Sequence, residues 1–333
     1  MSETVIESRA DGPPRRLRRR FGQLLLLAAV SGFSIFVGVS NISIFDLPRL
    51  TADQAQVLLI SRLPRLVSVI ITGASLSIAG LIMQSLTQNR FVSPTTAGTM
   101  EWCRFGVMFA ILAVPDAPLF LRFLAAFLVS LAGTLIFIRL ISGIRFKNII
   151  MVPLAGMMLG SVVNSVTTFF AYQHDIIQNM SSWLQGNFSL VIKGNYELLY
   201  FSPPLLLLAY FFANHFTIAG LGRDIAAGLG LNHDRIMKIG LVIVALISSI
   251  TIVGVGNIPF LGLVVPNLVS IYRGDSIKDT LFDTAWLGAM FVLVCDLGGR
   301  LLIYPYEIPI GIIISVAGSL VFLALIFRRA RRA

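Results

Sequence analysis

Apolar runs of about twenty residues recur almost end to end along this 333-residue chain, and a run of that length is what a helix needs to cross a bilayer. Short polar or glycine- and proline-containing stretches separate them. The pattern predicts ten helices, at 21–39, 62–87, 94–114, 119–141, 149–172, 196–214, 236–255, 260–272, 278–303 and 309–327. The eighth is too short for a straight span and contains Pro266, so a discontinuous element broken at that proline is expected, tolerable only where its backbone is buried in protein. No stretch is left for a separate soluble domain. The expected architecture is all-α and polytopic, with a basic cytoplasmic tail at 1–20 and one transmembrane domain at 21–333.

Two polar islands interrupt the apolar pattern. The first, AGLGRDIAAGLGLNHDR at 219–235, has helical spacing from Arg223 to Leu229, with Ile225 and Leu229 on one face. Glycines at 220, 222, 228 and 230 stop propagation at both ends. Helices below about 12 residues are marginal in water, so this one is held by packing against its own protein or a partner. Asn232 then offers an N-cap, with Asp234 in the first turn, to the following apolar run. The second island, at 173–195, carries QNMSSWLQGNFS and suits a short interfacial or partner-facing helix, with Trp183 as a boundary anchor.

Composition supports the membrane reading: 56% of residues are hydrophobic, 13% are charged and mean hydropathy is +0.86, against roughly 25% charged in soluble domains. The net charge of +10 suggests nucleic acid until it is mapped, because ten of the 26 basic residues are arginines at the two chain ends. Such clusters beside membrane helices act as topological signals and meet anionic lipid, which removes nucleic acid as a partner. With both ends in the cytoplasm, nineteen basic residues fall inside against six outside, the bias expected of an even number of spans. This places the 219–235 loop in the cytoplasm. The N-terminal RRLRRRFGQLLLL is expected to be an uncleaved first helix, since its apolar part exceeds the roughly 7–15 residues of a signal peptide. Cys103 and Cys295 have no metal-ligand spacing and are read as free buried thiols. His174, His215 and His233 form no metal pattern, and no phosphate-binding loop of the Walker type is present, so ATP work belongs to another chain.

Small residues fall on helix faces at Gly73, Ser77 and Gly80, and at Gly156 and Gly160, where they permit close helix approach. Asn164, Thr167 and Thr168 continue the second face with polar groups, and the five residues from Gly156 to Thr168 are candidates for lining a translocation path at a dimer interface. Charge within a span is costly. Arg62, Arg65 and Arg300 are expected near the outer surface, snorkelling to lipid or forming a basic collar for a carboxylate-bearing partner. Spacing permits ion pairs between Glu101 and Arg104 and between Asp296 and Arg300. Glu307 and Pro309 suit the start of the last helix.

Five stretches in order, RLPR at 62–65, GASLSIAGLIMQSLTQN at 73–89, LGRDIAAGLGLN at 221–232, GNIPFLGLVVPN at 256–267, and DLGGR followed by EIPIG at 296–311, resemble the FecCD/BtuC-type permeases. These are the membrane halves of ABC importers for iron-siderophores, haem and cobalamin. While the sequence itself leaves open whether the second permease subunit is the same or a related chain, the resemblance implies a homodimer of ten-helix subunits with a path between them in the bacterial cytoplasmic membrane. It also implies two cytoplasmic ATPase subunits holding ATP-Mg, an extracytoplasmic siderophore-binding protein, and no cofactor or metal in this chain. The coupling segment maps to Leu221, Gly222, Arg223, Asp224, Ile225, Ala226, Ala227, Gly228, Leu229 and Gly230. The docking arginines map to Arg62, Arg65 and Arg300. Departures from the family pattern lie at Glu101, Trp102 and Arg104 and at Asn267, and they resemble a branch for catecholate or mixed-ligand siderophores. The alternatives are a cobalamin or haem permease, or an ion-coupled transporter using Glu101 and Asp296.

Overall fold

The computed structural model describes residues 13–38, 51–94, 98–143, 151–191, 194 and 196–330. Arg9, Arg49, Arg145, Lys147, Lys193, Arg331 and Arg332 of the charge count lie outside them. Each of the ten expected spans has a helix. They are α1 (Pro13–Phe36), α3 (Leu63–Leu86), α4 (Thr99–Ala113), α5 (Leu119–Gly143), α6 (Met151–Gln173), α8 (Ser202–Ala219), α10 (His233–Val255), α11 (Leu261–Arg273), α12 (Ile277–Leu301) and α13 (Ile310–Ala330). Three short helices join them: α2 (Ala52–Val57), α7 (Ile177–Leu184) and α9 (Arg223–Gly228). Among the described residues no β-strand forms, and five helices are long and apolar enough to cross a membrane.

Two helices begin earlier than the hydrophobic pattern predicts. Helix α1 starts at Pro13, so part of the expected tail is helical: proline is favoured in a first turn, and leucine and arginine propagate the helix well. The second span starts at Ala52 with a capping box, Thr51 accepting from the Gln54 amide and the Gln54 side chain accepting from the Thr51 amide. Between α2 and α3 the backbone widens into a π turn at Leu58–Arg62. It lies just ahead of Pro64, whose ring cannot follow a regular α turn, and it carries Arg62 into the bundle.

Helix α3 is the axis of the bundle and is buried along most of its length. Its small residues permit this. A Cβ at Gly73 would lie 2.6 Å from the Gly288 carbonyl oxygen of α12, and one at Gly80 would overlap the Gly262 backbone at the start of α11. Larger residues at these crossings would force the helices apart. Helix α1 is tied to α12 lower down: Asp283 accepts from Gln23 at 2.9 Å and from Arg273 at 3.0 Å, and Trp286 donates to the Gln23 carbonyl at 2.7 Å.

At 13 residues, α11 covers about 20 Å of a roughly 30 Å apolar layer. It is the discontinuous element the sequence anticipated, but the expected break at Pro266 is absent. Pro266 has no N–H for the Gly262 carbonyl, and Gln84 supplies the missing donor: its Nε2 reaches the oxygens of Gly262 at 3.1 Å and Leu263 at 3.2 Å. Asn267 Nδ2 also donates to Leu263, at 2.7 Å. The Gln84→Leu variant should lose about 1–3 kcal/mol by stranding a buried carbonyl. Thermal unfolding in detergent that matches the parent would refute this role for Gln84.

Candidate functional site

The two ends of the bundle carry different chemistry. At the end where α1 finishes and α12 meets α13, Arg62, Arg65 and Arg300 come together from sequence positions far apart. Arg65 donates to Asp296 Oδ1 from Nη2 at 2.8 Å and from Nε at 3.2 Å, and to Glu307 Oε2 from Nη1 at 2.7 Å. Arg300 pairs with the other Asp296 oxygen, as the four-residue spacing predicts. Its Nη1 also donates to the carbonyls of Ser34 and Val37, both at 3.0 Å, while Arg62 reaches the carbonyl of Ile35 at 2.5 Å. These are the last carbonyls of α1, which have no donor within their own helix, and cations suit a helix C-terminus.

This arrangement corrects the expected basic collar. Arg62 and Arg300 are buried, at 8% and 6% exposure, and Arg65 is largely enclosed. Asp296 and Glu307 supply from within the carboxylates that the collar was expected to await. The same geometry removes Asp296 as an ion carrier, because both of its oxygens are engaged by guanidinium groups.

Glu307 lies in the connection before α13 and also accepts from Ser189. Burial pushes its pKa up, but the Ser189 hydroxyl and the Arg65 guanidinium outweigh that, so the pKa falls below the ordinary glutamate value. A depressed carboxylate pKa stabilises the fold above the unfolded value of about 4.3, and the contribution is lost as pH falls through the lower folded value. The Glu307→Gln variant should therefore flatten the acid limb of the stability curve. An unchanged limb, followed by intrinsic fluorescence below pH 5, would rule this out.

At the opposite end, α8 and α10 are joined by the expected glycine-punctuated loop. Gly222 (φ 109°) and Gly230 (φ 75°) take backbone conformations that suit glycine, on either side of α9. Asn232 caps α10 through the Arg235 amide at 3.0 Å. Ala226 is fully buried, whereas Leu221, Ile225 and Leu229, spaced four apart, are 56%, 52% and 62% exposed. Ile225 and Leu229, one turn apart at α9 and its C-cap, form an apolar ridge, and Leu221 lies ahead of the helix across Gly222. Arg223 and Asp234 pair at 2.9 Å on the surface. The loop is fastened to α3, since Gln88 Nε2 donates to the Gly220 carbonyl at 3.0 Å, and a Cβ at Gly220 would lie 2.5 Å from Ser85 Oγ.

The residues proposed for the path divide. Gly156 and Gly160 are buried, and Gly160 faces the Glu101 carboxylate of α4. Gly160 is therefore part of an intramolecular seam and not an open path wall, because its lack of a side chain lets α6 approach α4 there. Asn164 is half-buried above it, while Thr167 and Thr168 line a separate cavity between α4, α6 and α7. The outward face of α6 is instead formed by Met157, Met158, Val162 and Phe169. The expected Glu101–Arg104 pair does not form; Glu101 Oε2 and Arg104 Nε are buried without a hydrogen-bond partner. Trp183 is no boundary anchor: its Nε1 donates inward to Val253 at 2.9 Å, and its ring stacks edge-on against Phe123.

The architecture is an all-α membrane bundle with a half-length helix and a short helix between α8 and α10, and comparison with known proteins identifies it as a permease of the ABC class. The FecCD transport family matches residues 25–328, and the chain belongs to it. It is 50% identical over 314 residues to the petrobactin import system permease protein YclN of Bacillus subtilis (strain 168), covering 94% of this chain and 98% of that one. It is 37% identical over 311 residues to the ferric-anguibactin transport system permease protein FatD of Vibrio anguillarum (strain ATCC 68554 / 775), covering 93% and 99%. Among solved structures, an inward-facing conformation of a metal-chelate type ABC transporter aligns with a TM-score of 0.82 at 25% identity, covering 94% of this chain and 99% of that one.

Proposed function

We propose that this chain is the membrane subunit of an ATP-driven importer for ferric siderophores in a bacterial cytoplasmic membrane. It pairs with a second permease subunit, which is another copy or a related chain. Two ATPase subunits bind ATP-Mg in the cytoplasm and push on the Leu221–Gly230 segment, and an extracytoplasmic binding protein delivers the chelate to the arginine end. The observation that carries this reading is the exposed ridge of Ile225 and Leu229 on a helix of six residues and its C-cap, with the exposed Leu221 just ahead of it. Such a helix cannot stand alone, and an apolar ridge on it suits a partner's groove. Its fastening to α3 offers a route by which motion there reaches the bundle axis. At the other end Arg62, Arg65 and Arg300 are buried and paired within the chain, so in this reading they brace the end on which the binding protein docks and do not themselves contact it.

Cargo choice is supported by relatives named for petrobactin, anguibactin and Fe(3+)-citrate. The test is uptake of ⁵⁵Fe presented as each of these chelates to proteoliposomes holding the permease, its ATPase and its binding protein. ATP-dependent uptake of one or more is expected. Uptake of none, or uptake that persists without the ATPase, would overturn the reading.

A further inference from the structure

The start of α4 holds the bulky and charged residues Glu101, Trp102 and Arg104, and the structure sends them in different directions. Trp102 packs on Gly133 of α5 and meets Phe105 edge-on at 5.8 Å. Cys103 is fully buried, and Glu101 turns to Gly160 of α6. Arg104 leaves this packing and lines a cavity of about 380 Å³ that also touches Thr167 and Thr168 of α6, Ser181 and Gln185 at α7, and Asn257 beyond α10.

Three features of this cavity point to an anion. Arg104 Nε and Asn257 Oδ1 are buried without a hydrogen-bond partner, and Arg104 forms no ion pair among the described residues. None of the described lining residues is acidic; the nearest carboxylate on the same helix, Glu101, is turned to the α4–α6 seam. The remaining polar lining offers hydroxyl and amide donors from Thr168, Ser181, Gln185 and Asn257. An unpaired guanidinium inside a membrane bundle is costly and marks a functional position, and its planar fork matches a carboxylate or a pair of adjacent oxyanions. The cavity has exposed residues on its rim, since Tyr172, Ser181 and Gln185 are all open to the outside. Part of its wall is fixed in place: the Asn257 amide donates to the Leu184 carbonyl at 2.8 Å, and the Gly311 amide donates to the Gly186 carbonyl at 3.0 Å.

We propose that Arg104 and this cavity form an anion subsite that receives the carboxylate or catecholate oxygens of a ferric chelate as it passes the α4–α6–α7 face. The inference rests on the import reading and adds to it a point of charge selection within the permease. One cation with neutral donors holds such a ligand briefly, which suits a carrier that must also release it.

The test uses the complete transporter in proteoliposomes and the ferric chelate, petrobactin, anguibactin or citrate, that the parent imports. Uptake should fall in the order Arg, Lys, Gln, Glu at position 104, with Arg104→Gln at least tenfold below the parent and Arg104→Lys within about threefold. Retained docking of the binding protein, read by pull-down, shows that the variants are folded. Uptake by Arg104→Gln within twofold of the parent overturns the subsite. So does equal loss in Lys, Gln and Glu variants, the pattern of a packing role. If the parent imports none of the chelates, the import reading fails and the subsite falls with it; equal uptake by parent and Arg104→Gln sinks the subsite alone.

Discussion

Replacing Ile225 and Leu229 together with glutamate is expected to abolish binding-protein-stimulated ATP hydrolysis while leaving the permease folded. Both side chains are more than half exposed, so their loss removes little internal packing. Buried anchors at protein interfaces typically cost more than about 1 kcal/mol each when truncated, and 2 or more at the centre. Placing a charge in an apolar groove adds desolvation to that loss. Two such changes should weaken ATPase binding at least a hundredfold, since about 1.4 kcal/mol is a factor of ten. The measurement is co-purification of the ATPase with the permease, followed by the rate of ATP hydrolysis in liposomes. Parental rates in the double variant would show that the ridge is not where the ATPase engages. Two comparisons sharpen the result. Ala226→Arg should damage the permease itself, because Ala226 is fully buried on the inner side of α9. Removing the exposed Arg223–Asp234 pair should change little, as surface ion pairs contribute about 0–1 kcal/mol.

The contrast between Ala226 and Ile225 illustrates what the sequence reveals and what it withholds. Segment length and apolarity are properties of neighbouring residues, so the ten spans, the short α9 and the half-length α11 were readable in the linear pattern. The N-cap at Asn232 was local too. Which face of a helix looks outward depends on what packs against it. The small residues Gly156 and Gly160 fitted a path wall equally well before Glu101 was seen to occupy the space beside Gly160. In the linear pattern Gln84 is one polar residue in an apolar run, and its role depends on Pro266, far along the chain, having no N–H to give. The start of the second span at Ala52 was hidden because its first turn is polar and capped, which hydrophobicity does not register.

The arginine cluster is the strongest case of long-range information, because Arg65 meets Asp296 and Glu307 across 231 and 242 residues. Its dependence on Asp296 gives the second large expected effect. The Asp296 side chain is almost fully buried and divides its two oxygens between Arg65 and Arg300. In Asp296→Ala both guanidinium groups stay enclosed, Arg65 keeps Glu307 alone, and Arg300 keeps only hydroxyl and carbonyl acceptors of α1. Removing one partner of a buried ion pair typically costs about 3–5 kcal/mol, because the remaining charge is left uncompensated. The variant should therefore unfold well below the parent in detergent. Neutralising Arg300 as well, in Asp296→Leu with Arg300→Met, removes the stranded charge and leaves the Arg65–Glu307 pair intact, so much of the loss should be recovered. A single variant as stable as the parent would show that the cluster does not hold this end together. A double variant no better than the single one would show instead that the hydrogen bonds from Arg300 to the end of α1 matter more than the charge on Asp296.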